Sequence, residues 1–325
     1  MTRAMSRRAA VAALFLAGAA AGAQAQTPFR LGVVDDLSGP YSGNGGPNTV
    51  LATRMAVEDF GGKVLGRPIE VLAVDHQTKP DVGSSLARQL IDERGASALL
   101  LGGSSAVGLA VQNLAKERKV TTLVNGNYAA QFSGRSCSPY GTQWPPSTGE
   151  LAGAVAEAIV QAGGKKWFLT VVDYAFGHDL AADATKAVKA AGGTVVGEVR
   201  HPLATTDMSS ILLQAQASRA DVIGLANAGP DLVTTIKQSR EFGITSKVVA
   251  MLMFVNNTVA LGLDAAQGLR FAVSFYWDLN DTTRAWSKRM MARNGNVVPD
   301  MAHVLAYVST LHYLRSVEKA GTAAW

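Results

Sequence analysis

Cysteine occurs once in the 325 residues, at Cys137, so no intramolecular disulfide can form. Histidine is scarce. His76, His178, His201, His303 and His312 form no HExxH pattern and pair with no cysteine, which leaves no metal site and points to surface or internally satisfied roles. Charged residues are only 17% of the chain against 48% hydrophobic ones, a balance that excludes disorder and suits a large buried core. No phosphate-binding glycine loop is present either. Gly43-Asn44-Gly45-Gly46 lacks a third correctly spaced glycine, and Gly163-Gly164-Lys165-Lys166 precedes a strand and has no Ser or Thr after its lysine. No cofactor is expected.

The formal charge of +5 overstates the basicity of the main chain. Arg3, Arg7 and Arg8 head an apolar stretch from Ala9 to Ala21, and Ala23-Gln24-Ala25 is a small-residue cleavage site. Residues 1–25 therefore read as a secretory signal peptide cleaved after Ala25. Paired arginines are ordinary in such leaders, so Sec-type export is preferred over the twin-arginine route. Removing the leader takes away three arginines and no acid, and the charge falls from +5 to +2. A nucleic-acid partner then loses its support. No later segment is apolar over the length of a membrane span.

At this length two domains or lobes are expected. Short apolar runs alternate with helix-spaced segments. Strands are expected at Phe29–Val34, Pro68–Val74, Ala98–Leu101 and Val120–Val124, with helices at Thr49–Phe60, Asp81–Glu93 and from Ala106 to Arg118. Residues 125–146 break the alternation and read as a binding loop plus a crossover. A second series follows: strands from Lys166, Thr194, Asp221 and Lys247, with helices at Gly149–Ala162, Asp179–Ala191, Met208–Ser218 and Pro230–Phe242. A strand at Leu269–Phe275 and helices at Thr282–Arg293 and Pro299–Glu318 complete the reading. The fold class is α/β: two doubly wound, Rossmann-like lobes, the first from residues 26–144 and 254–325, the second from 145–253. Ligands of such sheets bind outside the carboxyl ends of the strands.

Small polar residues gather at those ends. Leu101-Gly102-Gly103-Ser104-Ser105 turns a buried strand into a helix, a geometry that aims free backbone N–H groups outward and suits a carboxylate. The plain alternative is a tight turn with a serine cap. The same stretch approaches the G-x-S-x-G nucleophile elbow, but Ala106 stands where the last glycine belongs and no HGGG-type stretch supplies an oxyanion hole. A serine hydrolase is thus a minor alternative, and the chain is read as no enzyme.

In order and spacing these marks resemble the leucine/isoleucine/valine-binding family of periplasmic solute-binding proteins of ABC importers. The matching stretches are Leu37-Ser38-Gly39-Pro40, Leu101-Gly102-Gly103-Ser104-Ser105, Asp173-Tyr174-Ala175-Phe176-Gly177, Pro230-Asp231 and Glu241-Phe242-Gly243, behind a signal peptide. The resemblance implies a type I two-lobed fold that closes by a hinge on a small carboxylate and presents it to a membrane permease and ATPase, most simply as a monomer. By position, Ser104 and Ser105 would hold the carboxylate, and Asn127 and Tyr128 would complete that site. Asn44 and Tyr41 would form a wall and Phe176 an aromatic lid. Asp231 would pair with an α-ammonium group, and Tyr276 and Trp277 would close the apolar pocket. A branched-chain or related amino acid is the expected ligand. The surplus of aromatics also suits a flat aromatic acid, and a ligand-sensing domain is a further alternative. Family members usually return to the second lobe with a final strand and helix. With Trp325 as the last residue, the second lobe is expected to lack them and to expose a sheet edge.

Overall fold

In a computed structural model, residues 26–324 are described; the leader reading lies outside them. The chain opens with strand β1 (Phe29–Asp35), helix α1 (Gly46–Phe60), β2 (Lys63–Val64), β3 (Arg67–Asp75), α2 (Pro80–Asp92), β4 (Ala96–Leu101), α3 (Ser105–Glu117), β5 (Thr121–Val124) and β6 (Gly141–Gln143). It continues with α4 (Thr148–Gln161), β7 (Lys166–Val172), α5 (Ala175–Ala190), β8 (Thr194–His201), α6 (Ser209–Ala217), β9 (Val222–Ala226), α7 (Pro230–Glu241) and β10 (Lys247–Ala250). The helices α8 (Val255–Leu261), α9 (Leu263–Ala266), α10 (Asp281–Met291) and α11 (Met301–Ala320) follow.

The strands form two sheets, of order β2-β3-β1-β4-β5-β6 and β10-β9-β7-β8. All pairings are parallel except β2 with β3. Parallel strands need both faces covered, which explains why β4, Ala-Ser-Ala-Leu-Leu-Leu, is apolar at nearly every position. One face of the first sheet packs Phe29, Leu31 and Val33 against Met55 of α1 and Tyr313 and Leu314 of α11. The other packs Leu99 and Leu101 against Leu90 of α2 and Val107 and Val111 of α3.

In each sheet the chain reverses direction once. From β1 it runs outward to β3, then crosses back over β1 to β4. From β7 it runs to β8, then crosses back to β9. At such a switch point the loops leaving two adjacent strands diverge and leave a crevice at the carboxyl ends. The first crevice lies beyond Asp35 and Leu101, the second beyond Val172 and Ala226.

Four expectations need correction. Residues 125–146 are not wholly irregular: Thr122, Leu123 and Val124 pair with Gly141, Thr142 and Gln143, a strand too short and glycine-bearing to show periodicity. Strand β2, two residues long, is too short to show a pattern. Residues 269–275 form no strand; Phe271 and Ala272 lie instead over α4 and the start of edge strand β10. The segment after Met253 does not pass straight to the first sheet. Leu261, Ala265, Leu269 and Phe271 join the core of the second sheet with Ile223, Leu225 and Leu232, because α8 and α9 lie against α7. Helices α10 and α11 then return to the first unit. There Arg289 and Tyr307 both bind Asp59, and Arg293 binds Glu58.

Candidate functional site

The two crevices face each other across one narrow cleft with a cavity of about 30 Å³. The first unit contributes Asp35, Tyr41, Asn44, Thr49, Gly103, Ser105, Tyr128 and Ala302; across from them stand Tyr174, Phe176, Ala228, Leu252 and Phe254. No lysine, arginine or histidine lines it.

The loop after β1 is wound around Asp36. Its carboxylate accepts the amides of Gly39 and Tyr41, each at 2.8 Å, and the Thr78 hydroxyl at 2.7 Å. Asp75 holds the same loop through the Leu37 amide and the Ser38 hydroxyl. These bonds seat Tyr41 at the cleft, where its hydroxyl meets that of Tyr174 at 2.7 Å. Asn44 also faces the cleft, and its Oδ1 accepts Asn257 Nδ2 from α8 at 3.1 Å.

Asp35 ends β1, fully buried. Its Oδ1 accepts the Asp36 amide at 2.7 Å, and its Oδ2 has no partner at hydrogen-bonding geometry. Burial raises its pKa to about 7, against the opposing pull of the Asp36 amide and the nearby Thr49 hydroxyl. A Cβ at Gly102 would overlap this carboxyl group. Glycine there lets the acid sit against the turn that opens α3, and Gly103 takes a left-handed φ of 66° to make that turn. The turn is tied from behind: the Gly102 carbonyl accepts Asn127 Nδ2 at 3.0 Å and lies 3.2 Å from His76 Nε2.

Ser104 is the N-cap residue of α3 but its side chain makes no capping hydrogen bond, so the cap alternative does not describe it. Ser105 lines the cleft, and its hydroxyl accepts the Ala129 amide at 3.3 Å. Tyr128 lines the cleft with a buried, unpartnered hydroxyl, its ring edge-on to Phe254 at 5.8 Å. Phe176, in the first turn of α5, stacks at a tilt 6.0 Å from Tyr174.

Four expected contacts fall outside the cleft lining. Ser104 is buried outside the lining, and Asn127 braces the turn through the Gly102 carbonyl. Asp231 is buried in the first turn of α7, where its Oδ2 accepts the Ala204 amide at 3.2 Å and burial raises its pKa to about 6. Tyr276 and Trp277 sit together on the surface side of the chain, Tyr276 being 45% exposed. They miss the pocket because the segment before them packs over α4 instead of adding a strand. Conversely, Asp35, Thr49, Tyr174 and Phe254 line the cleft without having been singled out. An acid at the last position of β1 was the available signal for Asp35, once β1 is known to lie at the switch point.

Among the described residues no group of three or more potential ligands could hold a metal ion, and no helix is long and apolar enough to cross a membrane. Two parallel-sheet units whose switch points face one another across a cleft define a two-lobed ligand-binding protein of the type I architecture. Residues 28–324 match the family model described as periplasmic binding protein, and the chain belongs to that family, which binds solutes and is not an enzyme family. A periplasmic binding protein from Burkholderia mallei is 42% identical, with a TM-score of 0.90 over 91% of this chain and 80% of that one. A branched chain amino acid ABC transporter periplasmic ligand-binding protein from Burkholderia xenovorans LB400 is 36% identical, with a TM-score of 0.79 over 91% of this chain and 79% of that one. The Leu/Ile/Val-binding protein homolog 6 of Brucella melitensis is 28% identical over 247 residues, 75% of this chain but only 63% of that relative.

Proposed function

We propose that this chain is the extracytoplasmic substrate-binding component of an ABC importer, acting in the periplasm. It captures a small apolar carboxylate, a branched-chain or related amino acid, and delivers it to a permease and ATPase complex at the membrane. The observation that carries this reading is the division of the cleft. Polar groups of the first unit, Ser105 at the start of α3 foremost, face the rings of Tyr174 and Phe176 across it. A ligand touching both walls gains its full contacts only when the lobes are together, so it shifts the open–closed equilibrium towards the closed form. The lobes of this reading are 26–144 with α10 and α11, and 145 to about 275, a division that follows the packing described above.

The rings of Tyr41, Tyr128, Tyr174, Phe176 and Phe254 favour a second ligand class, a flat aromatic carboxylate. A thermal-shift screen of aliphatic amino acids against benzoates tests both. A ligand that binds the native state raises the midpoint by mass action. Leucine, isoleucine or valine is expected to shift it most. No shift from any small carboxylate overturns the reading.

A further inference from the structure

We propose that Asp35, at the carboxyl end of β1, is the residue that selects ligands bearing an ammonium group, and that Asp231 is not. This rests on the small-carboxylate reading above and names the group that would discriminate within it.

Three observations place Asp35 in that role. Its carboxyl group lies on the cleft wall with one oxygen unpartnered. A buried acceptor without a donor is costly and rare in native proteins, which makes it an acceptor reserved for something that enters the cleft. Secondly, Gly102 brings it against the turn at the N-terminus of the 13-residue helix α3. That helix end attracts an anion, and Asp35 beside it attracts a cation. An α-amino acid carries both charges on a single carbon, whereas a plain carboxylate offers only the anion. Thirdly, the cleft lining has no cation. A monoanion entering it meets Asp35 with no counter-charge, and a zwitterion does not. Asp231 also keeps one unpartnered oxygen, Oδ1, with its Oδ2 taken by the Ala204 amide, but it lies outside the cleft lining.

The groups around Asp35 keep the assignment specific. Asp36 is engaged by the Gly39 and Tyr41 amides and Thr78, and Asp75 by Leu37, Ser38 and Gln77. Burial lowers the pKa of His76, which lies against the Gly102 carbonyl, and brings that of His303 to about 4. Burial raises the pKa of Asp300 well above the ordinary carboxylate value. From α1 come the Thr49 hydroxyl and the Gly46 amide. With a pKa of about 7, Asp35 carries a proton part of the time at neutrality, and an entering ammonium group expels it.

The test compares L-leucine with its deaminated counterpart 4-methylpentanoate, and L-phenylalanine with 3-phenylpropanoate, by calorimetry on the wild-type chain and on Asp35→Asn and Asp231→Asn. The wild type is expected to prefer the amino acid of at least one pair. Asp35→Asn should weaken that amino acid by about 30-fold or more and narrow or invert the preference, while Asp231→Asn leaves the preference unchanged. Independently of any variant, wild-type titrations at pH 7 in two buffers of different ionisation enthalpy should show release of about half a proton per amino acid bound. A wild type that prefers the deaminated acids, a loss confined to Asp231→Asn, or binding without proton release overturns the assignment and leaves the small-carboxylate reading standing. Binding of no member of either pair overturns that reading, and the assignment with it.

Discussion

The hydroxyls of Tyr41 and Tyr174 meet at 2.7 Å and join the loop after β1 to the start of α5. The bond bridges the two sheet units at the rim of the ligand cleft, so it forms only when the units are together. One neutral hydrogen bond contributes about 0.5–1.5 kcal/mol net. Tyr174→Phe is expected to shift the ligand-free protein towards open forms, which small-angle scattering reads as a larger radius of gyration. Ligand affinity should fall by no more than about tenfold, since RT ln 10 matches the upper end of that range. An unchanged scattering profile would deny the pair any part in closure.

Tyr128 presents the opposite case. Its hydroxyl is buried and unpartnered, so the empty protein bears a desolvation cost of about 1–3 kcal/mol for it. Tyr128→Phe removes that cost and keeps the ring against Phe254. The variant should melt higher without ligand and bind leucine more weakly than the wild type. Equal midpoints would mean that water already satisfies the hydroxyl.

Gly102 is expected to tolerate no side chain. The Cβ of Gly102→Ala would occupy the space of the Asp35 carboxyl, and overpacking of this kind costs about 1–3 kcal/mol. Urea denaturation should show the midpoint falling with an unchanged slope. Gly43→Ala, where a Cβ meets nothing within contact distance, is the control.

The stability of the empty protein should carry the signature of Asp35. Its folded pKa of about 7 lies above its unfolded value of about 3.9. A raised pKa contributes stability that is fully present below the unfolded value and is lost as pH rises through the folded one. Between pH 4 and 7 the wild type should therefore lose stability relative to Asp35→Asn, and the gap should level off above pH 7. Parallel thermal melts across that range measure it. A gap that stays constant with pH would place the group in water.

On the far side of the molecule Asp59 binds both Arg289 of α10 and Tyr307 of α11, which ties the returning helices to α1. The Arg289 hydrogen bond lowers the Asp59 pKa. A depressed pKa contributes stability above the unfolded value of about 3.9, lost as pH falls through the folded one. The partners are partly exposed, so Asp59→Asn should cost only about 0.2–1 kcal/mol at neutral pH. High salt should shrink the effect. A salt-independent loss would point to packing instead.

The elements were legible in the sequence because their signals are local. Lys166–Val172 is apolar enough to be a strand on any partner, and Pro230 starts a helix wherever that helix packs. The polar turn at Gly102–Ser105 was visible for the same reason. Strand order is not a local property. Only the crossing of β4 past β1 puts Asp35 beside Gly102, and only the crossing of β9 past β7 puts Ala228 beside Phe176. Asp35 and Asp231 each give one oxygen to a backbone amide and leave the other unpartnered, and which of them stands on the cleft wall is decided by elements far apart in the sequence. Phe271 and Tyr276 show the same limit: an apolar run reads as a strand, but it becomes one only where a sheet edge is open to receive its hydrogen bonds. Composition and periodicity determined which segments could be strands and helices; the pairing of distant strands decided which side chains meet in the cleft, because burial and desolvation exist only once those strands are together.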